Sequence, residues 1–389
     1  MSAPLAIYLH IPFCRTKCTY CAFNTYTNQE HLIDAFVEAL CREVRLVGEK
    51  APDRRAGSVF FGGGTPSLLR SNHIIRILET INAFFDLEHS AEISLEANPN
   101  DIDAAYALSL KNAGINRISL GMQSANRNEL VLFARRHDND QTGRAVSALR
   151  AAELRNLNLD LIYGIPHQTL QDWMWSLKQM LALQPDHISL YALGIEEGTP
   201  MEKWVARGAL PPPDDDLTAD MYEAATDILA EAGYEQYEIS NWSKPGYRCL
   251  HNLQYWRNLP YLGFGPGAHG YAGGKRYTVV LSPQQYVKTL VSDVHTTDYP
   301  LSPAADPDTV VTMDWDSEVA ETLIMGLRLT QEGIERHRFR TRFGVDVLDI
   351  HRPVIERYSQ HGLLEVSDDR VLLTRTGRLL SNTIFRDLV

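Results

Sequence analysis

The stretch Tyr8-Leu9-His10-Ile11-Pro12-Phe13-Cys14-Arg15-Thr16-Lys17-Cys18-Thr19-Tyr20-Cys21 sets an apolar β-type run directly before three of the chain's five cysteines. Thiolates are soft ligands suited to iron–sulfur clusters, and the Cys-x3-Cys-x2-Cys spacing lets one loop wrap a cubane while ligating three of its four irons. The fourth iron then stays open to a small chelating ligand. A three-thiolate zinc site is the plainer alternative; it needs a fourth ligand, for which only His10 stands near. Unrelated free cysteines are the remaining alternative.

The rest of the chain supports a strand-then-loop reading. Short apolar runs at 6–11, 58–61, 92–95, 117–120, 157–162 and 187–191 alternate with segments of helical period at 31–47, 71–85, 103–112, 142–152 and 170–182. About six β-α units result, fewer than the eight of a closed barrel. Each strand is followed by glycine or polar residues: the cysteines, then Gly62-Gly63-Gly64-Thr65-Pro66, Glu96-Ala97-Asn98-Pro99, Gly121-Met122-Gln123, Gly164-Ile165-Pro166 and Tyr191-Ala192-Leu193-Gly194. In β/α barrels the carboxyl ends of the strands build the site.

Composition narrows the class. With 389 residues and 44% hydrophobic content the chain can fill a large core. A net charge of −12 argues against a broad nucleic-acid surface. No basic leader precedes the first apolar run, and no run reaches membrane-span length, so a cytoplasmic protein with reduced thiols is expected. Peripheral membrane contact and a homodimer are both compatible with the sequence.

Four regions are expected: a (β/α)6 core at 1–200, an extension at 201–298, a Pro/Asp-rich linker at 299–317, and a module at 318–389. In the last, three helical segments precede a hairpin around Asp368-Asp369, a winged-helix-like α+β pattern. Its run Arg336-His337-Arg338-Phe339-Arg340-Thr341-Arg342 is basic, yet the module balances eleven arginines against eleven acids. A duplex-binding surface needs unopposed cations, so no nucleic-acid partner is expected.

The cysteine motif, with Tyr20 beside the last cysteine, resembles the radical S-adenosylmethionine superfamily. The resemblance implies a partial six-stranded (β/α)6 barrel that binds a [4Fe-4S] cluster through Cys14, Cys18 and Cys21, together with S-adenosyl-L-methionine. By the same resemblance Gly63, Gly64 and Thr65 receive the methionine group and Glu96 holds the ribose. Gln123, Arg135 and Asp160 match further cofactor positions, and Tyr8 packs on the cofactor.

Over nearly the whole chain, Tyr8-Leu9-His10-Ile11-Pro12-Phe13-Cys14 and Leu159-Asp160-Leu161-Ile162-Tyr163-Gly164-Ile165-Pro166 resemble the oxygen-independent coproporphyrinogen III oxidase group. The decarboxylating oxidases of that group carry a further cysteine where this chain has Phe23. The motif His251-Asn252-Leu253-Gln254-Tyr255-Trp256 instead resembles a branch of haem chaperones, which implies haem binding by His251, Asn252, Tyr255 and Trp256. It also implies delivery of haem to recipient apo-haemoproteins, with no catalytic residues assigned. Coproporphyrinogen decarboxylation is the alternative activity, and from the residues alone the favoured role of His251 and its aromatic neighbours is to close the open side of the barrel. Cys249 is a second iron-ligand candidate, His269 is read as structural, and Arg338 and Arg340 are candidates to meet haem propionates.

Overall fold

In the first strand, β1 (Leu5–Ile11), the residues Leu5, Ile7, Leu9 and Ile11 fall at period two and are buried, whereas Tyr8 and His10 point the other way. The apolar side packs against Phe36, Leu40 and Val44 of the helix Ile33–Gly48 within one large core. The polar side faces the hollow of a curved sheet. This division recurs through β2 (Arg55–Gly63), β3 (Asp86–Ala97), β4 (Arg117–Gln123), β5 (Asn156–Tyr163) and β6 (His187–Ala192), all parallel and in sequence order. Aligned rows such as Ala6/Ser58/Glu92 and Glu96/Ser119/Asn158/His187 therefore run across the inner wall.

This computed structural model describes residues 3–292 and 298–388; within the expected 201–298 extension, residues 293–297 lie outside the described residues. The remainder of that extension belongs to the same sheet. After β6 come β7 (Glu235–Glu238) and β8 (Asn241–Ser243), with β8 antiparallel to β6. At the opposite edge β9 (Tyr261–Phe264) runs parallel to β1 as a seventh parallel strand. It leads to β10 (His269–Ala272), β11 (Lys275–Thr278) and β12 (Val311–Thr312), completing a twelve-stranded sheet. Six β-α units thus form the expected partial barrel, widened at both edges by chain that sequence patterning assigned to an extension.

The stretch 299–317, expected as a linker, is fastened to the barrel. It supplies β12, and Ser302 donates to the carboxylate of Glu43. Glu43, on the helix Ile33–Gly48, is fully buried and also accepts from the Gly265 amide at 2.9 Å and the Tyr286 hydroxyl at 2.5 Å. One carboxylate so joins a barrel helix, the end of β9, the helix Pro283–Val291 and the supposed linker.

The C-terminal module has its own core around Leu323, Phe339, Phe343, Val347, Leu373 and Ile384. Helices Trp315–Gly326, Arg336–Phe343 and Val347–Gln360 pack with a small sheet of β13 (Ile334–Glu335), β14 (Leu364–Val366) and β15 (Arg370–Leu373). All four arginines of the basic run are paired: Arg336 and Arg340 with Asp346, Arg338 with Glu335, Arg342 with Glu318. Arg338 and Arg340 stay more than half exposed while paired within the module. Among the described residues no helix is long and apolar enough to cross a membrane.

Burial raises the Glu43 carboxyl to about 7 despite its three donors. A group whose folded pKa lies above its unfolded value adds stability below the unfolded pKa and loses it as pH rises through the folded one. Relative to the wild type, Glu43→Gln should therefore gain on the order of 3 kcal/mol in unfolding free energy between pH 4.5 and 8. Denaturant titrations across that range check this; parallel curves for the two proteins would refute it.

Candidate functional site

Beyond β1, Pro12 offers no amide to a ladder, and the chain leaves the sheet. It turns back where Tyr26 N donates to Pro12 O at 2.7 Å and Cys14 N to Tyr26 O at 2.9 Å. Phe13, fully buried, meets Phe36 edge-on at 5.2 Å and anchors the loop's root. Its far side is held where the Thr19 hydroxyl donates to Leu132 O at 2.7 Å. Between these pins lie the three thiols, Cys14 buried and Cys18 and Cys21 half-buried.

The thiols have donors suited to their ionised forms. Thr65 Oγ1 donates to Cys14 Sγ at 3.4 Å, and Arg135 Nη1 to Cys18 Sγ at 3.6 Å. Burial pushes the Cys14 and Cys21 thiols up, so a bound cation is what would hold them as thiolates. His10 is not a zinc ligand here. Its Nε2 donates to Asn24 O at 2.9 Å and its Nδ1 accepts from the Tyr8 hydroxyl at 3.0 Å, occupying both nitrogens. Among the described residues no three His, Cys, Asp or Glu side chains converge as a single-ion site.

The glycine loop after β2 is pressed onto the cysteine loop. Gly64 N donates to Ile11 O and Thr65 N to Phe13 O, each at 2.8 Å. A Cβ on Gly64 would stand 2.7 Å from Phe13 O and 3.1 Å from Cys14 Sγ; Gly63 adopts φ +109°, and its Cβ would meet the His10 ring at 2.7 Å. Only glycine fits either place. Glu96, at the end of β3, accepts from Gly63 N at 3.1 Å. Burial and the nearby Asp160 raise its carboxyl to about 8.

Arg135 braces the far side of the site. Its Nη2 donates to Gly121 O at 2.8 Å and Asn98 Oδ1 at 3.0 Å, while its buried Nε is without a partner among the described residues. Gln123 closes over Gly121 beside it from a left-handed φ of +64°. Asp160 accepts from Asn158 Nδ2 at 2.7 Å and Ser119 Oγ at 3.1 Å. A cleft opens here between Arg15, Thr16, Cys18, Thr65, Asn98 and Arg135. The three thiols, two donors to sulfur and the glycine cradle fit a cubane with a ligand on its open iron. Sequence reasoning missed Arg15, Thr16 and Asn98, which carry no signal in composition or spacing.

The second group of candidates lies lower in the same hollow and adjoins the first through Tyr8, whose ring centroid is 6.4 Å from that of His251. The helix Leu250–Trp256 packs against the lower part of β2 and β3: Ser58 Oγ meets His251 Nδ1 at 2.9 Å, five residues before Gly63. At about 3.3 Å per residue the two places are about 16 Å apart along β2. His251 is 1% exposed, stacks on Phe60 at 5.0 Å, and meets the Tyr255 hydroxyl through Nε2 at 2.8 Å. Burial, helped by the charge of Arg117, lowers its pKa to about 3, so the imidazole is neutral.

The motif His251-Asn252-x-x-Tyr255-Trp256 is two i,i+4 pairs on adjacent helix faces. His251 and Tyr255 face the barrel; Trp256 packs with Leu253, Tyr237 and Leu329, under the Arg328 guanidinium at 4.6 Å. The four residues therefore do not line one surface, and Trp256 is bound to the C-terminal module. Burial raises the Cys249 thiol to about 12, and the thiol donates to Glu92 at 3.3 Å, which sets it aside as an iron ligand. His269 Nδ1 meets the Thr278 hydroxyl at 3.1 Å, a structural contact.

Two groups that sequence patterning passed over complete this end. Glu92 accepts from Leu250 N at 3.0 Å and His251 N at 3.2 Å, capping the helix start. Arg117, 2% exposed, supplies the compensating charge. Both stand at alternate strand positions, the one signal that could have found them.

The sequence profile described as the Radical SAM superfamily matches residues 8–180, and that of the HemN C-terminal domain residues 316–380. Heme chaperone HemW of Mycobacterium tuberculosis is 36% identical over 389 residues, covering 99% of this chain and 95% of that one. The protein of the same name from Bacillus subtilis is 34% identical, with 97% of each chain covered. Coproporphyrinogen III oxidase (HemN) from Escherichia coli, a radical SAM enzyme, superposes with a TM-score of 0.81 at 23% identity, covering 100% of this chain and 90% of that one. That likeness shows the fold. With full-length identity to relatives of one name and the superfamily profile over the barrel, the chain belongs to the heme chaperone HemW family of the radical SAM superfamily.

Proposed function

We propose that this protein binds haem through His251 and passes it to apo-haemoproteins in the cytoplasm, holding a [4Fe-4S] cluster and S-adenosylmethionine at the carboxyl ends of its barrel strands. The observation that carries the reading is a neutral imidazole, fixed on a helix of its own and flanked by the flat rings of Phe60 and Tyr255. A neutral ring keeps a lone pair for iron, and aromatic faces suit a porphyrin. The family, whose members carry the name heme chaperone, supports the same cargo.

Cys14, Cys18 and Cys21 would hold the cluster; Gly63, Gly64, Thr65, Glu96, Gln123, Arg135 and Asp160 would hold S-adenosylmethionine, with Tyr8 beside it. When bound, this pair supplies one-electron reduction of the sulfonium and a 5′-deoxyadenosyl radical. Arg135 and Thr65 stabilise thiolate charge, while Glu96, carrying its proton near neutral pH, can donate to an oxygen. Decarboxylation of coproporphyrinogen is less well supported. Phe23, where the decarboxylating oxidases have a cysteine, is an exposed ring at the edge of the cluster loop, with 68% of its surface accessible.

For His251 to ligate iron, Nε2 must give up the Tyr255 hydroxyl. Tyr255→Phe removes that competitor and should tighten haem binding severalfold, whereas His251→Ala should weaken it at least 10-fold and change the Soret band. Anaerobic haem titrations of the three proteins decide this: unchanged binding in His251→Ala would sink the proposed ligand. Formation of carbon dioxide from coproporphyrinogen would sink the chaperone reading as a whole.

Cys14→Ala should abolish the broad absorbance near 400 nm after anaerobic reconstitution with iron and sulfide. Because the hydrogen-bond partners of His251 are Ser58 and Tyr255 and include none of the cluster cysteines, haem affinity of the same variant should stay within about 2-fold of wild type. A parallel loss of haem would show that the sites are one.

A further inference from the structure

Besides Tyr255 of its own motif, the groups that hold His251 are on the barrel wall. Ser58 of β2 meets Nδ1 at 2.9 Å and is 3% exposed. Glu92 of β3, 6% exposed, accepts the first two amides of the helix and the Cys249 thiol, so it fixes where the helix begins. Ser58 and Glu92 are cross-strand partners in the β2–β3 register. Together they fix the ring's position and its rotation.

The hydrogen bonds also select a tautomer. A phenol is a stronger donor than an aliphatic alcohol, so the Tyr255 hydroxyl donates to Nε2 and the proton stays on Nδ1, which donates to Ser58 Oγ. That is the tautomer an iron ligand needs: the Nε2 lone pair is held in a displaceable hydrogen bond, and Nδ1–H is anchored. In metal-ligating histidines the other ring nitrogen donates to an outer partner, which sets ring orientation and raises ligand basicity.

We infer that Ser58 is the positioning residue that holds His251 with Nε2 presented to haem iron, and that Glu92 positions the helix bearing it. The inference rests on the reading of His251 as the iron ligand. The two strands involved end in the glycine cradle and Glu96, so the wall that fixes the cofactor loop also fixes the histidine.

The test uses the full chain loaded with one equivalent of haem. Ser58→Ala, which leaves the buried Nδ1–H without its acceptor, should lower the thermal midpoint by a few degrees and keep the haem stoichiometry, yet bind haem about 10-fold more weakly. In the reduced protein its iron–histidine stretching frequency in resonance Raman should fall, because the ligand loses its hydrogen-bond acceptor. Ser58→Thr, which keeps the hydroxyl, should restore frequency and affinity. If Ser58→Ala matches wild type in both while His251→Ala loses haem, the positioning role is overturned and the ligand stands. If His251→Ala itself keeps wild-type affinity and spectrum, the ligand reading is overturned, and the role of Ser58 with it.

Discussion

The parallel pairing of β1 with both β2 and β9 is the constraint on which the rest hangs. Its register places Tyr8 and His10 toward the hollow and Leu5, Ile7, Leu9 and Ile11 toward the helices. A slip of one residue would exchange the two sets and bury imidazole and phenol in the apolar core. The same register sets Ile11 opposite Gly63, so the cysteine loop and the glycine loop leave the sheet side by side and zip together through Gly64 and Thr65. The core and the cofactor cradle are therefore products of one alignment.

Inside the hollow, charge is arranged by level. At the carboxyl ends Asp160 lies close enough to Glu96 to raise its proton affinity, with Arg135 set against Cys18. At the lower end Glu92 caps a helix and Arg117 balances it. Buried ions are tolerated when paired or hydrogen-bonded, and here the pairing is vertical as well as lateral. Tyr191, on the inner wall of β6 with 44% of its surface accessible, marks where the hollow is open to solvent.

The elements that were readable from sequence are those whose information is local. The cysteine spacing, the three glycines before Thr65 and the six apolar strands each declare themselves within a short window. β9 did not, because Tyr261-Leu262-Gly263-Phe264 carries a glycine needed for close approach: its Cβ would fall 1.9 Å from His269 O. Nor did β8, whose Asn241-Trp242-Ser243 reads as polar although all three residues are buried. Glu92 and Arg117 escaped for a related reason. Alternating polar residues in a strand ordinarily signal a solvated face, and in a half-closed barrel that face is the site.

The helix Leu250–Trp256 shows why the six-residue motif extends past its histidine. A helix of two turns has little stability of its own and takes its position from its neighbours. One face is set by Ser58, Glu92 and Phe60 of the barrel; the next is set by Arg328 and Leu329 at the start of the C-terminal module. The residue after Trp256 continues the second attachment, since Arg257 forms a two-pronged pair with Glu332 at 2.7 and 2.9 Å. Histidine and tyrosine thus face the hollow because tryptophan and arginine are anchored behind them, and the module is part of what holds the ligand in place.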